Sequence, residues 1–225
     1  MFSAIVLAVV LAAPGSSSSL KETAELKSLI DRMQTFYDKT EDFTAHFQQQ
    51  YTYPALKRVQ ASEGEVTFKK PGMMRWDYRS PSPKVFVLSD DNAYAYDPES
   101  STLTKSNFNR SQLSAAVTFL WGKGHLADEF SFSRASCEDC KGTLMTLTPL
   151  KPDPRFHFIR LEVDRQTAQV LRTVVVDPDG SENSIRFSDL KINQKVKQAA
   201  FKLNLPPETQ ILDLNAARAA PSRKP

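Results

Sequence analysis

Cysteine and histidine are scarce in this chain, and recognisable catalytic motifs are absent. Its 225 residues include two Cys and three His, which lie far apart at His46, His125 and His157. No Gly-x-Ser-x-Gly elbow, His-x-x-x-His pair or phosphate-binding loop occurs. Acidic residues fall mostly in predicted turns, and the Asp-Pro-Asp-Gly at 177–180 is typical of a turn because a calcium loop needs more oxygen ligands. The sequence therefore predicts no enzymatic activity, no bound metal and no cofactor.

Blocks of basic residues are also lacking. The chain has 29 Lys and Arg against 26 Asp and Glu, a net charge of +3, and the two signs are interspersed. This balance argues against nucleic acid as a partner. A composition that is 40% hydrophobic and 24% charged is that of an ordinary globular protein, and the length suits one domain or two small ones.

The N-terminus has no charged residue before Lys21. Its apolar run, residues 2–13, is too short for a membrane span of about 20 residues. Small residues follow, as in a secretory signal peptide, although Lys and Arg are missing ahead of the run; a plain hydrophobic arm or anchor is the alternative. We expect residues 1–19 to be a signal peptide that is removed, and the mature chain to be exported to the periplasm. The stretch has no Cys, so we expect no lipid anchor there.

The two cysteines, Cys137 and Cys140, lie between two strand-like segments in Cys-Glu-Asp-Cys. In an exported protein this spacing favours a small disulfide across a hairpin turn. A redox site and half of a zinc site are the alternatives. The redox motif usually opens a helix, and no second cysteine pair or nearby histidine cluster completes a tetrahedral metal site.

Two segments have the apolar spacing of three and four residues that predicts an amphipathic helix. The first covers residues 20–40, where the apolar stripe consists of Leu26, Leu29, Ile30, Met33, Phe36 and Tyr37. The second covers residues 109–124, where Leu113, Ala116, Val117, Leu120 and Trp121 share one face and Gly122 and Gly124 end the helix.

Elsewhere the apolar residues alternate with polar ones, which predicts strands. About eleven short strands are joined mostly by hairpins, so each should pair with its neighbour in sequence in an antiparallel sheet. One sheet of so many strands should curl into an incomplete barrel, with helices closing the open side. The predicted fold is therefore mostly β with an α lid. We expect a single domain over residues 20–213 and a disordered tail at 214–225.

One face of this sheet is rich in large apolar side chains. In residues 64–78, Met74, Trp76 and Tyr78 alternate with Arg75 and Asp77. Such residues usually pack a protein's own core, but a barrel of this strand number is wider than side chains easily fill, which favours a ligand cavity. The predicted inner face consists of Phe43, Phe47, Val66, Phe68, Met74, Trp76, Tyr78, Phe86, Leu88, Tyr94, Tyr96, Phe130, Phe132, Met145, Leu147, Ile159, Leu161, Val163, Ile185 and Phe187.

Several segments, in this order, resemble the LolA family of periplasmic outer-membrane lipoprotein carriers: FTAHFQQ, GEVTFKKPGMMRWDY, VLSDDNAYAYDP, a helix, TVVVDPDGSENSIRFSDLKIN and FKLNLPP. The resemblance runs from about residue 20 to 213. It implies an incomplete antiparallel barrel, closed by a helical lid, whose cavity takes the acyl chains of lipoproteins. It also implies two partners besides the lipoproteins: an ATP-driven release complex in the inner membrane and a receptor at the outer membrane.

The resemblance also suggests roles for individual residues. The lid latch of the family is an Arg directly before a Pro; here Lys70 stands at that position, and Arg75 is a second candidate. The residues expected to contact acyl chains are Phe43, Phe47, Val66, Phe68, Met74, Trp76, Tyr78, Phe86, Leu88, Tyr94, Tyr96, Leu120 and Trp121.

Three other functions are compatible with such a fold. A periplasmic lipid or lipoprotein sensor, such as an anti-sigma-factor regulator, usually carries a second C-terminal domain. An outer-membrane acceptor is usually lipid-anchored, and a lipid hydrolase would need a nucleophile that the sequence does not reveal. A carrier that binds one lipoprotein at a time is most simply a monomer.

Overall fold

The computed structural model describes residues 16–89, 91–108 and 125–215. The helices are α1 (Ser16–Lys39) and α2 (Leu126–Glu129), with 3-10 turns at Pro54–Leu56 and Gln198–Phe201. The strands are β1 (Asp42–Tyr53), β2 (Arg58–Lys69), β3 (Met73–Ser80), β4 (Lys84–Ser89), β5 (Asn92–Asp97), β6 (Thr102–Asn107), β7 (Phe130–Arg134), β8 (Thr143–Pro149), β9 (Phe158–Val163), β10 (Val170–Val176), β11 (Glu182–Ile192) and β12 (Gln210–Asp213).

All described strands belong to one open sheet. Their order is β12-β6-β5-β4-β3-β2-β1-β11-β10-β9-β8-β7, so that β12 and β7 form the two edges. Every neighbouring pair is antiparallel except β12 and β6. The prediction of an incomplete antiparallel barrel is confirmed in an open sheet whose one departure among the described strands is the parallel pairing of β12 with β6. The prediction of about eleven strands missed β12, because four residues are too few to establish an alternating pattern.

The helix predicted from the apolar stripe is α1, which covers the half of the sheet formed by β7 to β10. Its residues Leu29, Met33 and Tyr37 are buried against that half. The backbone N–H of Val170 donates to the Tyr37 hydroxyl at 3.2 Å, and burial raises the pKa of Tyr37 to about 12. No helix within the described ranges is long and apolar enough to cross a membrane. The predicted helix at 109–124 lies outside the described residues.

The opposite, outer face of β3 to β5 is covered by the chain that follows β11. Phe201 is buried there against Met73 and Val87. The carboxylate of Asp42 accepts the backbone N–H of Gln194 at 2.7 Å and holds the start of this segment. The C-terminal segment thus lies on the outer face, and α1 covers one half of the inner face. Neither of these two elements covers the other half of the inner face.

Candidate lipid-binding face

The strand register aligns large side chains in rows across the inner face. The first row crosses four strands through Leu88, Met74, Phe68 and Phe43. The second runs through Phe86, Trp76, Val66 and Ala45. The third runs through Tyr78, Gly64, Phe47 and Phe187. We call this surface the aromatic face; it consists of Phe43, Phe47, Val66, Phe68, Met74, Trp76, Tyr78, Phe86, Leu88, Ile185 and Phe187.

The rings of the aromatic face contact one another at the distances typical of aromatic pairs. The ring centroid of Phe47 lies 4.8 Å from that of Trp76 and 4.9 Å from that of Tyr78, both edge to face. The rings of Tyr78 and Phe86 are 5.5 Å apart. These contacts form a continuous apolar surface that spans β1, β3 and β4.

Burial across the aromatic face decreases from its middle towards β4. Phe47 is 1% exposed and Phe68 is fully buried, but Phe86 is 41% exposed. Trp76, Tyr78 and Phe187 are half-buried, although they pack against the buried cluster. Contact between water and the exposed part of the aromatic face is unfavourable. An apolar ligand that covered this part would therefore bind favourably.

A polar belt, made of Gln49, Ser62, Tyr78 and Asn183, borders the aromatic face. The Tyr78 hydroxyl donates to Gln49 Oε1 at 2.9 Å, and Gln49 Nε2 donates to Asn183 Oδ1 at 2.8 Å. Ser62 Oγ donates to the same Gln49 oxygen at 3.2 Å. Burial raises the pKa of Tyr78, which further favours the neutral hydroxyl that donates to Gln49. The belt therefore offers amide and hydroxyl groups where the apolar surface ends.

An open cavity of about 310 Å³ adjoins the belt. Its walls combine aromatic rings with polar groups: Gln49, Tyr51, Tyr53, Gln60, Ser62, Tyr78, Pro81, Ser82, Lys84 and Phe86. A space of this composition suits the polar end of an amphipathic molecule whose apolar part lies on the aromatic face.

Two predicted inner-face residues lie on the other side of the sheet. The register pairs Tyr94 with Val87 and Tyr96 with Val85, on the outer face, and Tyr94 packs against the cluster around Phe201. The prediction that Tyr94 and Tyr96 share the inner face was therefore wrong. In Asn-Ala-Tyr-Ala-Tyr the tyrosines alternate with alanines, and it is the small Ala95 that faces inward beside Phe86.

Lys70 connects the sheet to α1. Its Nζ donates to the backbone carbonyls of Tyr37 at 2.9 Å and Asp38 at 2.8 Å, in the last turn of the helix. The Tyr37 carbonyl also accepts the backbone N–H of Thr40 at 3.2 Å, and Lys70 adds a second donor there. A cation at this end of the helix also interacts favourably with the helix dipole. Lys70 thus holds the C-terminal end of the helix that covers the sheet.

Arg75, the second candidate for the latch, has a different role. It lies on the outer face, where it forms a bidentate pair with Asp77 and donates to the carbonyls of Ala200 and Lys202. Arg75 therefore holds the C-terminal segment, and the prediction that it takes part in the latch was wrong.

Replacing Lys70 by Ala should loosen α1. We expect Lys70→Ala to lower the free energy of unfolding by about 1–2 kcal/mol, because two charge-assisted hydrogen bonds to the helix end are lost. Amide hydrogen exchange in α1 should accelerate. Lys69→Ala is the matched control because the neighbouring Lys69 is also half-buried. Equal destabilisation by both substitutions would contradict the assignment.

Cys137 and Cys140 form a disulfide whose loop packs on the outer face. Arg172 Nη2 donates to Cys140 Sγ at 3.0 Å and also forms an ion pair with Glu162. The Glu162 carboxylate is fully buried and accepts the backbone N–H of Lys141 at 2.8 Å, directly after the loop. The disulfide thus belongs to an ionic cluster behind the sheet, away from the aromatic face.

The structure brings together most of the predicted acyl-contact residues, and Leu120 and Trp121 lie outside the described residues. Six predicted inner-face residues, namely Phe130, Met145, Leu147, Ile159, Leu161 and Val163, are buried beneath α1 and form ordinary core. Sequence reasoning missed the polar belt, because Gln49, Ser62 and Asn183 meet only through the register of three strands. It also missed Phe108, Leu190 and Ile192, which pack against the aromatic face.

The fold and this face define a class: open half-barrel proteins with an apolar inner surface, of which α1 covers one half in the described part of the chain. The chain belongs to the LolA family. The model of this family, described as outer membrane lipoprotein carrier protein LolA, matches residues 38–204.

Relatives named outer-membrane lipoprotein carrier protein match most of the chain. The relative from Chromohalobacter salexigens is 23% identical over 88% of this chain and 93% of its own length. The relative from Pseudomonas entomophila is 26% identical over 92% of this chain and 96% of its own length. A solved structure of an uncharacterized conserved protein from Thermus thermophilus aligns with a TM-score of 0.54 at 13% identity, covering 84% of this chain and 98% of that one. The last similarity supports the fold alone.

Proposed function

We propose that the protein is a periplasmic carrier of acylated lipoproteins. It binds their acyl chains on the aromatic face, takes them from an ATP-driven release complex in the inner membrane and delivers them to a receptor at the outer membrane. The names of its relatives support the carrier role. The observation that carries the proposal is the half-exposed aromatic face, which α1 leaves uncovered in the described part of the chain.

The physical need for such a carrier follows from the strength of lipid anchoring. Each buried methylene contributes about 0.8 kcal/mol to membrane attachment, so a lipoprotein with several long acyl chains does not leave a membrane unaided. An apolar protein surface replaces the bilayer as the solvent for those chains. Release must still be possible, and an open face with flexible Met74 beside Trp76 suits a reversible grip.

The proposed carrier is an exported protein that acts without catalysis. Residues 1–19 would be its signal peptide, residues 20–213 its carrier domain and residues 214–225 a tail. α1 begins at Ser16, so the helix includes the end of the proposed signal peptide. We expect a monomer that binds one lipoprotein at a time.

The direct test recovers the protein from the periplasm of cells that express the full chain and measures its mass under native conditions. We expect a bound lipoprotein whose acyl chains appear in a lipid extract. Phe187→Glu should remove this cargo, because a carboxylate would then stand beside Phe47 on the aromatic face.

Ser188→Glu is the matched control, since Ser188 is the next residue of β11, is exposed and faces the other way. It should retain the cargo. A protein that is recovered empty and that does not release lipoproteins from spheroplasts would refute the carrier function. If both variants carried the same cargo, the acyl chains would bind somewhere other than the aromatic face.

A further inference from the structure

The hairpin between β1 and β2 extends beyond the strands on either side of it. Pairing of β1 with β11 ends at Thr52, and pairing of β2 with β3 ends at Glu63. The two strands of the hairpin continue to pair with each other as far as Tyr53 and Arg58. The end of this hairpin therefore projects from the sheet. We call residues 53–59 the hairpin tip.

The hairpin tip presents apolar side chains to solvent. Leu56 is 70% exposed, the highest value among the exposed large hydrophobic residues of the described chain, and Val59 is 55% exposed. Pro54 and Ala55 are also exposed. These side chains belong to none of the core clusters of the described residues. Their exposure lowers solubility, and a partner that covered them would remove this disadvantage.

Basic residues stand directly beside this apolar group. Lys57 and Arg58 are both exposed, and Lys57 has a left-handed backbone (φ 48°) that closes the turn. The acidic groups at the turn between β10 and β11 have partners of their own. Asp177 accepts the hydroxyl of Tyr51, Asp179 accepts the backbone N–H of Ser181 at 2.9 Å, and Glu182 forms an ion pair with Arg160. In the described part of the chain neither Lys57 nor Arg58 forms an ion pair, so both cations can attract an anionic partner.

Tyrosines link the hairpin tip to the aromatic face. The rings of Tyr53 and Tyr51 stack with centroids 4.4 Å apart. Both line the same cavity as Tyr78 and Phe86, which belong to the aromatic face. A cavity with aromatic and polar walls thus connects the base of the exposed tip with the proposed acyl-binding surface.

We propose that the hairpin tip is a membrane-docking element, which inserts Leu56 and Val59 into the headgroup region of an anionic bilayer. Exposed aliphatic residues, interfacial tyrosines and adjacent Lys and Arg are the combination that binds such a surface: the aliphatic groups enter its apolar edge and the cations attract its phosphates. The site is additional to the acyl-binding face and would bind lipid vesicles whether or not the protein carries lipoproteins. It would also place the cavity that adjoins the aromatic face at the membrane.

The experiment is a flotation assay with vesicles of phosphatidylglycerol and phosphatidylethanolamine, and with vesicles of phosphatidylcholine alone. The protein is that recovered from cells expressing the full chain, with its N-terminus read by mass spectrometry. We expect binding to the anionic vesicles and a loss of about tenfold or more for Leu56→Asp. Lys57→Ala should weaken binding about fivefold on anionic vesicles and leave binding to phosphatidylcholine unchanged.

Leu150→Asp is the matched control, because Leu150 is 58% exposed and lies in the connection after β8, away from the tip. It should bind vesicles as the unchanged protein does. Unfolding curves of the variants should coincide, since these side chains are exposed. The docking role would be overturned if the protein did not bind vesicles, or if Leu56→Asp and Lys57→Ala bound them as the unchanged protein does. A protein would then be the remaining candidate partner for the tip. Cargo on the aromatic face is measured separately, by native mass. A failure of the docking proposal can therefore be distinguished from a failure of the carrier function.

Discussion

Gly64→Ala is expected to destabilise the protein by about 3 kcal/mol, because the sheet leaves no room for a side chain at this position. A Cβ at Gly64 would lie 2.0 Å from the backbone carbonyl oxygen of Asp77 and 2.9 Å from a ring carbon of Phe47. The backbone oxygen cannot move without breaking the register between β2 and β3, which already shifts at this point. The glycine is therefore required for close approach of the strands.

The same substitution should also alter the aromatic face. Gly64 lies between Tyr78 and Phe47 in the third row, and the two rings contact each other across it. Displacement of Phe47 would separate these rings. We expect weaker acyl binding even at temperatures where Gly64→Ala is still folded.

Urea unfolding measures the stability effect. Gly180→Ala is a useful control, because Gly180 has a left-handed backbone (φ 83°) but open space around it. It should cost only about 1 kcal/mol, the strain of an alanine in that conformation. A cost for Gly64→Ala no greater than that for Gly180→Ala would contradict the packing argument.

The parts of the fold with a strong local pattern were predictable from the sequence. The alternation in β2 and β3 placed Val66, Phe68, Met74 and Trp76 on one face, and the stripe of α1 identified the helix. Both patterns follow from the geometry of a single element. Tyr94 and Tyr96 were misplaced because β5 alternates tyrosine with alanine, and size alone suggested the wrong face. Only the pairing of Ala95 with Phe86 decides the orientation.

The remaining features depend on residues far apart in the sequence. The polar belt joins Gln49, Ser62 and Asn183 through two strand registers, and no local signal marks such a meeting. The contact of Lys70 with the end of α1 likewise depends on where the helix lies across the sheet. Arg75 shows the converse: its neighbouring position in sequence suggested the same role, but strand alternation places it on the other face.

The two halves of the inner face differ in a way that fits a carrier. Beneath α1 the side chains of Met145, Leu147 and Ile159 are completely buried and form ordinary core. On the aromatic face, Phe86 and Trp76 remain partly open to solvent. Within the described residues, α1 leaves this surface uncovered. The exposure has a cost in free energy that ligand binding would offset.

Phe86→Glu should therefore weaken acyl binding about tenfold or more without a comparable loss of stability. Phe86 is 41% exposed, so its replacement removes little core packing, and we expect unfolding free energy to change by about 1 kcal/mol or less. In the complex, the carboxylate would lie against an acyl chain next to Tyr78 and lose its hydration. Titration with a fluorescent long-chain acyl probe measures the dissociation constant.

Tyr96→Glu provides the matched comparison, because Tyr96 is a half-buried aromatic residue on the neighbouring strand that faces the opposite side of the sheet. Its affinity for the probe should remain within about twofold of the unchanged protein. Equal losses from Phe86→Glu and Tyr96→Glu would mean that the two faces are not functionally distinct. Loss from Tyr96→Glu alone would place the ligand on the outer face, beneath the C-terminal segment. Loss of affinity with Phe86→Glu alone would show that the acyl chain binds to the exposed part of the inner face.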